Sequence, residues 1–472
     1  VQAFNILFWG ISFFILGILF FNLEIALFGF FLNLFLFFLF LILFLVFNSR
    51  RFFHASFLSF FIIAGIFYAS FYDLFLRKKI DDSFLNKSFD ALVYKILART
   101  PDFLVIVKAD GYNFVLRFKY AISLLPGDRI EFKIKRENIF SPPSYLKGEK
   151  LLLEIKNPEV IKVSKGKSFF SRILYLKNEA ISNFSKLLPS DEAALLSGIL
   201  FGETSNFEYN LKEFMRKSGT THIVALSGYN ISIVESAVIF LATLFMPRVA
   251  AIIVAGIFIL IFIFMTGAEA SVVRAGIMGI LILVAKEKGN LFDLRNVIVF
   301  SALLMLILNP DLLVFDIGFE LSFLSLIGII YIYPVLFNTK EEMSFEFFES
   351  LKKIFTGTVS AQIAILPLIF KTFGFFSPFA LFSNLLILSF IPITMFFGFL
   401  SSISGLFFLP LSNIFLLAAF PFLKWELMVI KFFGGLDFGW HFKVGWLFVC
   451  AYYALLILFI LWRKKQFKKY II

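Results

Sequence analysis

Long apolar runs open the chain and return in its second half, and a more polar, alternating stretch lies between them. Three runs come first, at 4–21, 25–47 and 57–76. About 20 apolar residues wound as a helix cross the hydrocarbon core of a bilayer, so each run predicts a span. From 77 the period changes. Residues 103–107 are apolar and β-branched, Asp110-Gly111 is a hairpin signal, and 113–119 alternates, as does 129–135 after Pro126-Gly127. Two further strands are predicted at 91–97 and 151–163, the latter broken near Pro158. Five short strands in this space predict a small OB-like β-barrel. An SH3-like barrel fits the same pattern.

The period then becomes helical. Ile173, Leu174, Ile181, Phe184 and Leu188 share one face of a helix that ends at Pro189. Ser190-Asp191-Glu192 caps a short apolar helix running to Gly202, and Phe207, Leu211, Phe214 and Met215 mark a third that stops at Gly219. These pieces are too polar to span and are expected to lie at the interface. Further spans are predicted at 222–245, 250–265, 270–285, 297–308, 318–337, 354–370, 378–400, 414–429 and 445–462. The fold class is therefore a polytopic α-helical membrane protein of about 12 spans with a small extracytoplasmic β-barrel. Its parts are 1–76, N-terminal spans; 77–168, the β domain; 169–220, interfacial helices; 221–435, a transmembrane core; and 436–472, a last span with a basic tail.

Composition agrees. The chain is 60% hydrophobic, against about 45–50% for soluble domains. Lys and Arg outnumber Asp and Glu by 44 to 32, a net charge of +12. In a membrane protein the first reading of that excess is the positive-inside rule; a polyanionic substrate is the second. Arg50-Arg51, Lys286-Glu287-Lys288 and Arg463-Lys464-Lys465 all fall on one side in the span count. That side is the cytoplasm, which puts the β domain outside an inner membrane. The first apolar run lacks a basic leader and a cleavage signal and reads as a retained anchor. The lone Cys450 and the scattered His54, His222 and His441 make no metal-ligand cluster. No G-x-x-x-x-G-K-[ST] loop is present, so neither a metal nor another cofactor is expected.

Polar residues inside spans mark an internal pair or a pathway. Five groups stand out. His222, Ser227, Asn230 and Glu235 fall in one segment, with Ser227 and Asn230 on one helix face. Glu269, Ser271 and Arg274 crowd another helix start, with Arg274 about one turn deep. Glu320 lies near a helix start and is a natural partner for Arg274. Gln362 precedes Pro367, which kinks a helix and frees a carbonyl. Ser383-Asn384 precedes Pro392. Each has a structural reading as interhelical packing glue or a buried ion pair. Ser227 and His222 do not read as a catalytic pair, because no orienting acid stands out and they occupy different helix faces. The chain is therefore not expected to be an enzyme.

Leu195-Leu196-Ser197-Gly198-Ile199-Leu200-Phe201-Gly202, Phe214, Gly219 and His222–Asn230 together resemble the competence domain of the ComEC-type DNA-uptake channel family. That family reads G-x-x-H-[apolar]₂-A-[apolar]-S-G-[apolar]-H at this place. Thr266-Gly267…Ser271…Arg274-Ala275, Gly318–Phe323, Gln362 with Pro367, and Ser383-Asn384 with its following proline are similar to later family blocks, in order. Asn230 replaces the family's second His and keeps a polar contact; Glu320 replaces its Gln and calls for Arg274 to neutralise it. The resemblance implies a competence-type channel core over 221–435, importing single-stranded DNA during natural transformation. It implies partners too: a DNA-receptor protein and a cytosolic ATP-driven translocase, besides membrane lipids. A homo-oligomer is compatible with it. The C-terminal metallo-β-lactamase-like domain of many members is expected to be absent. A transporter of a small or lipid-linked anionic molecule is the alternative reading.

Overall fold

The computed structural model describes residues 2–23, 25–47, 49–76, 87–98, 103–109, 112–119, 124–134, 139–140, 151–224, 228–287, 293–336, 346–436 and 438–469. These form two compact units, Val1–Tyr175 with Val238–Glu320, and Leu176–Ala237 with Leu321–Ile472. In chain order the elements are α1 (Gln2–Asn22), α2 (Ala26–Phe47), α3 (Arg50–Phe71, continued by a π-turn), then β1 (Ser88–Ala98), β2 (Phe103–Ala109), β3 (Tyr112–Phe118), β4 (Asp128–Lys133), β5 (Ile139–Phe140), β6 (Leu151–Lys156) and β7 (Glu159–Lys165). Next come α4 (Phe169–Leu187), α5 (Ser190–Phe201), α6 (Tyr209–Ser218), α7 (Thr221–Val224), α8 (Gly228–Thr243), α9 (Arg248–Met265), α10 (Ala270–Glu287), α11 (Leu294–Leu308), α12 (Leu312–Phe315), α13 (Ile317–Tyr331) and α14 (Tyr333–Leu336). The chain finishes with α15 (Glu346–Thr372), β8 (Phe375–Phe376), α16 (Ala380–Leu388), α17 (Ile391–Gly405), α18 (Leu409–Gly435), β9 (Trp440–His441) and α19 (Trp446–Lys469).

In the first unit the alternation of the strands sets the sheet. Its order is β5-β6-β3-β2-β1-β4-β7. The long β1 pairs through its first half with β4 and through its second half, past two register shifts, with β2. β6 runs parallel to β3, and β7 antiparallel to β4. β6 and β7 are far apart in this order yet separated in sequence only by Asn157 and Pro158. So short a link spans at most about 10 Å, so the sheet must curl until its two ends meet. Inward positions are apolar, and Phe89, Phe114 and Phe132 meet at the centre with ring centroids 5.5–6.0 Å apart. The expected Asp110-Gly111 turn lies outside the described residues. Pro126-Gly127 turns as expected, and Tyr175 of α4 donates to the Gly127 carbonyl and to Asp128 at 3.1 and 2.9 Å.

The helices of the same unit are joined at one end. Asn22 donates to the Pro310 carbonyl at 2.8 Å, Tyr72 to Leu308 at 3.3 Å, and Tyr68 to Ile307. The acceptors include the last carbonyls of α11, which have no partner within their own helix.

The expectation of about twelve spans is corrected. Among the described residues seven helices are long and apolar enough to cross a membrane, or eight if the bent pair α16 and α17, at 49° to each other, is one broken span. Among the described residues α8 and α11 are apolar but only 16 and 15 residues long. At about 1.5 Å per residue these fall short of a ~30 Å core. The runs predicted at 222–245 and 297–308 correspond to them. The chain is a multi-pass helical membrane protein that also carries a seven-stranded sheet.

Candidate functional site

In the second unit the predicted polar residues gather where helices end. α6 carries Leu211, Met215 and Ser218 on its buried face and stops at Gly219. Gly219 is in the left-handed region at φ +73°, and a Cβ there would collide with Ala380 of α16. That close approach lets Ser383 of α16 donate to the Ser218 carbonyl at 2.8 Å, closing an open helix end. Ser218 and Thr220 share a hydrogen bond of 2.8 Å. Beside Ser383, Asn384 is buried, and its Oδ1 has no hydrogen-bond partner among the described residues.

His222 follows on the short α7, and its side chain is exposed. Ser227 lies outside the described residues. Asn230, in the first turn of α8, is 2% exposed and its Nδ2 donates to the Ile199 carbonyl of α5 at 3.2 Å. Its partner lies in the last turn of a buried helix.

Gln362 is half-buried on α15. Pro367 in the same helix has no N–H to offer the carbonyl one turn back, at Ile363. The Tyr452 hydroxyl of α19 donates to that carbonyl at 2.9 Å, and Tyr453 does the same for Ala364. The kink is satisfied by a neighbouring helix.

The other predicted residues belong to the first unit. Glu269 sits just before α10 and forms an ion pair of 2.6 Å with Lys95 of β1, joining the sheet to the end of the α9–α10 pair. Ser271 is half-buried in the first turn of α10. Arg274 is 6% exposed, with Nη1 3.6 Å from the Met278 sulfur one turn on. Glu320 is half-buried in the first turn of α13. His222, Asn230, Gln362 and Asn384 thus share one unit, and Glu269, Ser271, Arg274 and Glu320 the other.

The family model for the competence protein matches residues 199–466, more than half of the chain. The chain belongs to the competence protein family. Among proteins similar to this one is ComE operon protein 3 of Bacillus subtilis (strain 168), 27% identical over 232 residues. That match covers 48% of this chain and 28% of the relative, so the chain spans well under half the length of the curated relative it matches. No solved structure matches the chain. The competence match opens at Ile199, whose carbonyl receives Asn230, and takes in every predicted site residue.

Three arrangements inside or beside the competence region have no counterpart in the sequence reading. Glu426 of α18 is fully buried and accepts from the Thr394 hydroxyl of α17 at 2.7 Å, while its second oxygen has no partner among the described residues. The signal was a lone Glu on the face of α18 shared by Ser412, Leu416, Ala419, Leu423 and Ile430. Lys177 of α4 pairs with Glu203 at 3.3 Å, with both side chains buried. Lys95 was legible only as a strand residue, because its partner is 174 positions away.

Proposed function

We propose that this chain is the membrane channel that admits single-stranded DNA to the cytoplasm during natural transformation. The observation that carries the reading is the competence-family match across the segment holding His222, Asn230, Arg274, Glu320, Gln362 and Asn384. A strand of DNA needs a polar, lipid-free route that accepts any base sequence. Ionisable and amide side chains within apolar helices supply the groups for one, and they carry a desolvation cost that span stability alone does not require. On this reading Arg274 neutralises Glu320 beside the path, His222, Ser227 and Asn230 solvate the strand, and the chain breaks no bond.

The sheet supports the reading in a second way. A β1-β2-β3 meander, β4 returning to β1, and a β6–β7 ribbon joining parallel β3 to antiparallel β4 support reading the sheet as an OB-like barrel. Barrels of that kind commonly receive single strands. We place it outside the inner membrane, with the basic C-terminal tail inside. Energy for transport is then left to a cytosolic ATP-driven partner, and delivery to a DNA receptor.

The test is uptake of fluorescently labelled DNA by a strain lacking the gene. Uptake should be lost, and restored by the intact chain. A Ser227→Ala/Asn230→Ala form should fail to restore it while reaching normal membrane abundance. Undiminished uptake in the deletion strain overturns the proposal.

A further inference from the structure

At one end of the second unit, three segments converge that no sequence motif connects: the end of α6, the turn holding β8, and the loop holding β9. Phe375 pairs with His441, and Phe376 with Trp440, across the two strands. The Phe375 and His441 rings stand 4.9 Å apart, and the Arg216 guanidinium of α6 lies 4.5 Å from the Phe375 centroid on that cluster. A concavity of about 300 Å³ opens between them, lined by Arg216, Lys217, Phe375, Phe438, Gly439 and His441. Glu213 also lines it and is already held by Arg216 at 2.9 Å. Gly439 keeps this wall open, since a Cβ there would collide with the Phe375 ring. Around the concavity the aromatic surface continues: Trp440 is 47% exposed, Phe438 54% and Phe442 58%. Lys443 flanks Gly374, and Lys371 sits over the Trp446 ring.

We propose that this cluster is a docking platform for single-stranded DNA, a binding site separate from the intramembrane polar residues. It deepens the channel reading and rests on it. The chemistry selects the ligand. Arg216 and Lys217 line the concavity, Lys371 and Lys443 lie on the segments around it, and Glu213 is the one lining carboxylate among the described residues, so the surface attracts a polyanion. Open aromatic faces beside cations are what a sequence-tolerant strand binder uses, because every unpaired base offers a π-face and a backbone phosphate. Duplex DNA offers phosphates and no free base faces, so it is discriminated against. The cavity is at the small end of ligand pockets and suits one base or nucleotide. Tryptophan and lysine also anchor proteins at lipid headgroups. A belt of that kind needs only outward side chains, whereas here the rings also pair across two strands and wall a concave site.

The experiment uses the full chain in nanodiscs and a fluorescein-labelled 20-mer of oligodeoxythymidylate, read by anisotropy. Trp440→Ala with Lys443→Ala should weaken binding roughly ten-fold, since base–aromatic stacking and a lost phosphate contact each contribute. The Lys443→Ala form alone should reduce the steepness of the salt dependence, and a duplex of equal length should bind more weakly than the strand. A second measurement does not depend on a variant's folding: irradiation of an oligonucleotide bearing 5-iododeoxyuridine should crosslink to the peptide containing residues 438–443. Unchanged affinity in folded variants together with no crosslink there overturns the platform. If the intact chain binds the oligonucleotide and restores uptake in that case, the channel reading stands without it. If the intact chain binds no strand and the deletion strain takes up DNA, both fall. Variants that keep oligonucleotide binding but lose association with phosphatidylglycerol vesicles make the cluster a lipid anchor, which also overturns the proposal.

Discussion

In the seven-stranded sheet the central layer is apolar: Phe89, Val105, Phe114, Leu116, Ile130 and Phe132 are all buried, and the ion pair Arg129–Asp90 is left at the surface. In the α17–α18 hairpin the central layer is partly polar. Thr394 meets Glu426 at 2.7 Å, Ser401 meets Ser412 at 2.8 Å, and all four are at most 1% exposed. The outward faces are reversed as well, with Phe396, Leu417, Met428 and Phe432 exposed on the hairpin. The two regions come from one chain, so the difference reflects the solvent each faces. Water expels apolar surface and makes the sheet's interior the main source of its stability. Lipid does not, so association of the hairpin depends on close packing and on hydrogen bonds made where water cannot compete.

Altering one buried side chain in each region is the strongest way to break this comparison. Phe114→Ala removes the centre of the sheet's aromatic cluster and should cost about 3–5 kcal/mol. Glu426→Gln keeps the shape and an acceptor for Thr394 and should cost well under that, since a hydrogen bond in a membrane bundle averages about 0.6 kcal/mol. Hydrogen–deuterium exchange of the β3 and α18 peptides in detergent measures both openings. A Glu426→Gln loss as large as that of Phe114→Ala would mean that polar burial dominates the hairpin, contrary to the ranking drawn here.

The Lys95–Glu269 pair lies where the two kinds of region meet within the first unit. Its side chains are 16% and 27% exposed, so solvent screens it in part. A double-mutant cycle with Lys95→Met and Glu269→Gln should give a coupling of roughly 1 kcal/mol that shrinks in high salt. The readout is the thermal midpoint of the purified protein. Additive effects at low salt would show that the contact carries no net coupling.

Much of the sheet was legible because its residues alternate against water: the strands predicted at 91–97, 103–107, 113–119 and 129–135 overlap β1 to β4 closely. The short β5 and the division of 151–163 into β6 and β7 were less visible, the division being marked only by Pro158. Apolar runs in lipid carry a weaker signal for length. The run at 222–245 predicts a span, yet among the described residues its long helix is α8, of 16 residues. Among the site residues, Asn230 and Ser383 could be recognised as polar groups in apolar surroundings. Their acceptors, the Ile199 and Ser218 carbonyls, depend on tertiary packing and have no local signal. β8, β9 and the Tyr452 contact with Ile363 were hidden for the same reason.

The smallest expected effect concerns Asp316, which lies just before α13, next to the water-facing side of this contrast. Its carboxylate accepts from the Phe319 N–H at 2.7 Å and caps the helix start. Burial holds its pKa above the ordinary 3.8, and the Glu269 charge adds to that rise, against the pull of the Phe319 and Gly318 N–H groups. With the folded value raised, both states keep the proton below the unfolded value. As pH rises past it the unfolded chain ionises first, so this group's contribution to stability falls until the folded state ionises too. Asp316→Asn keeps an oxygen for the Phe319 N–H and removes the charge. Thermal midpoints from about pH 4 upward should therefore decline in the parent relative to the Asn form and become parallel once Asp316 is ionised in both states. A parent whose midpoint instead rises relative to Asp316→Asn over that window would mean that the cap, and not burial beside Glu269, sets this carboxylate.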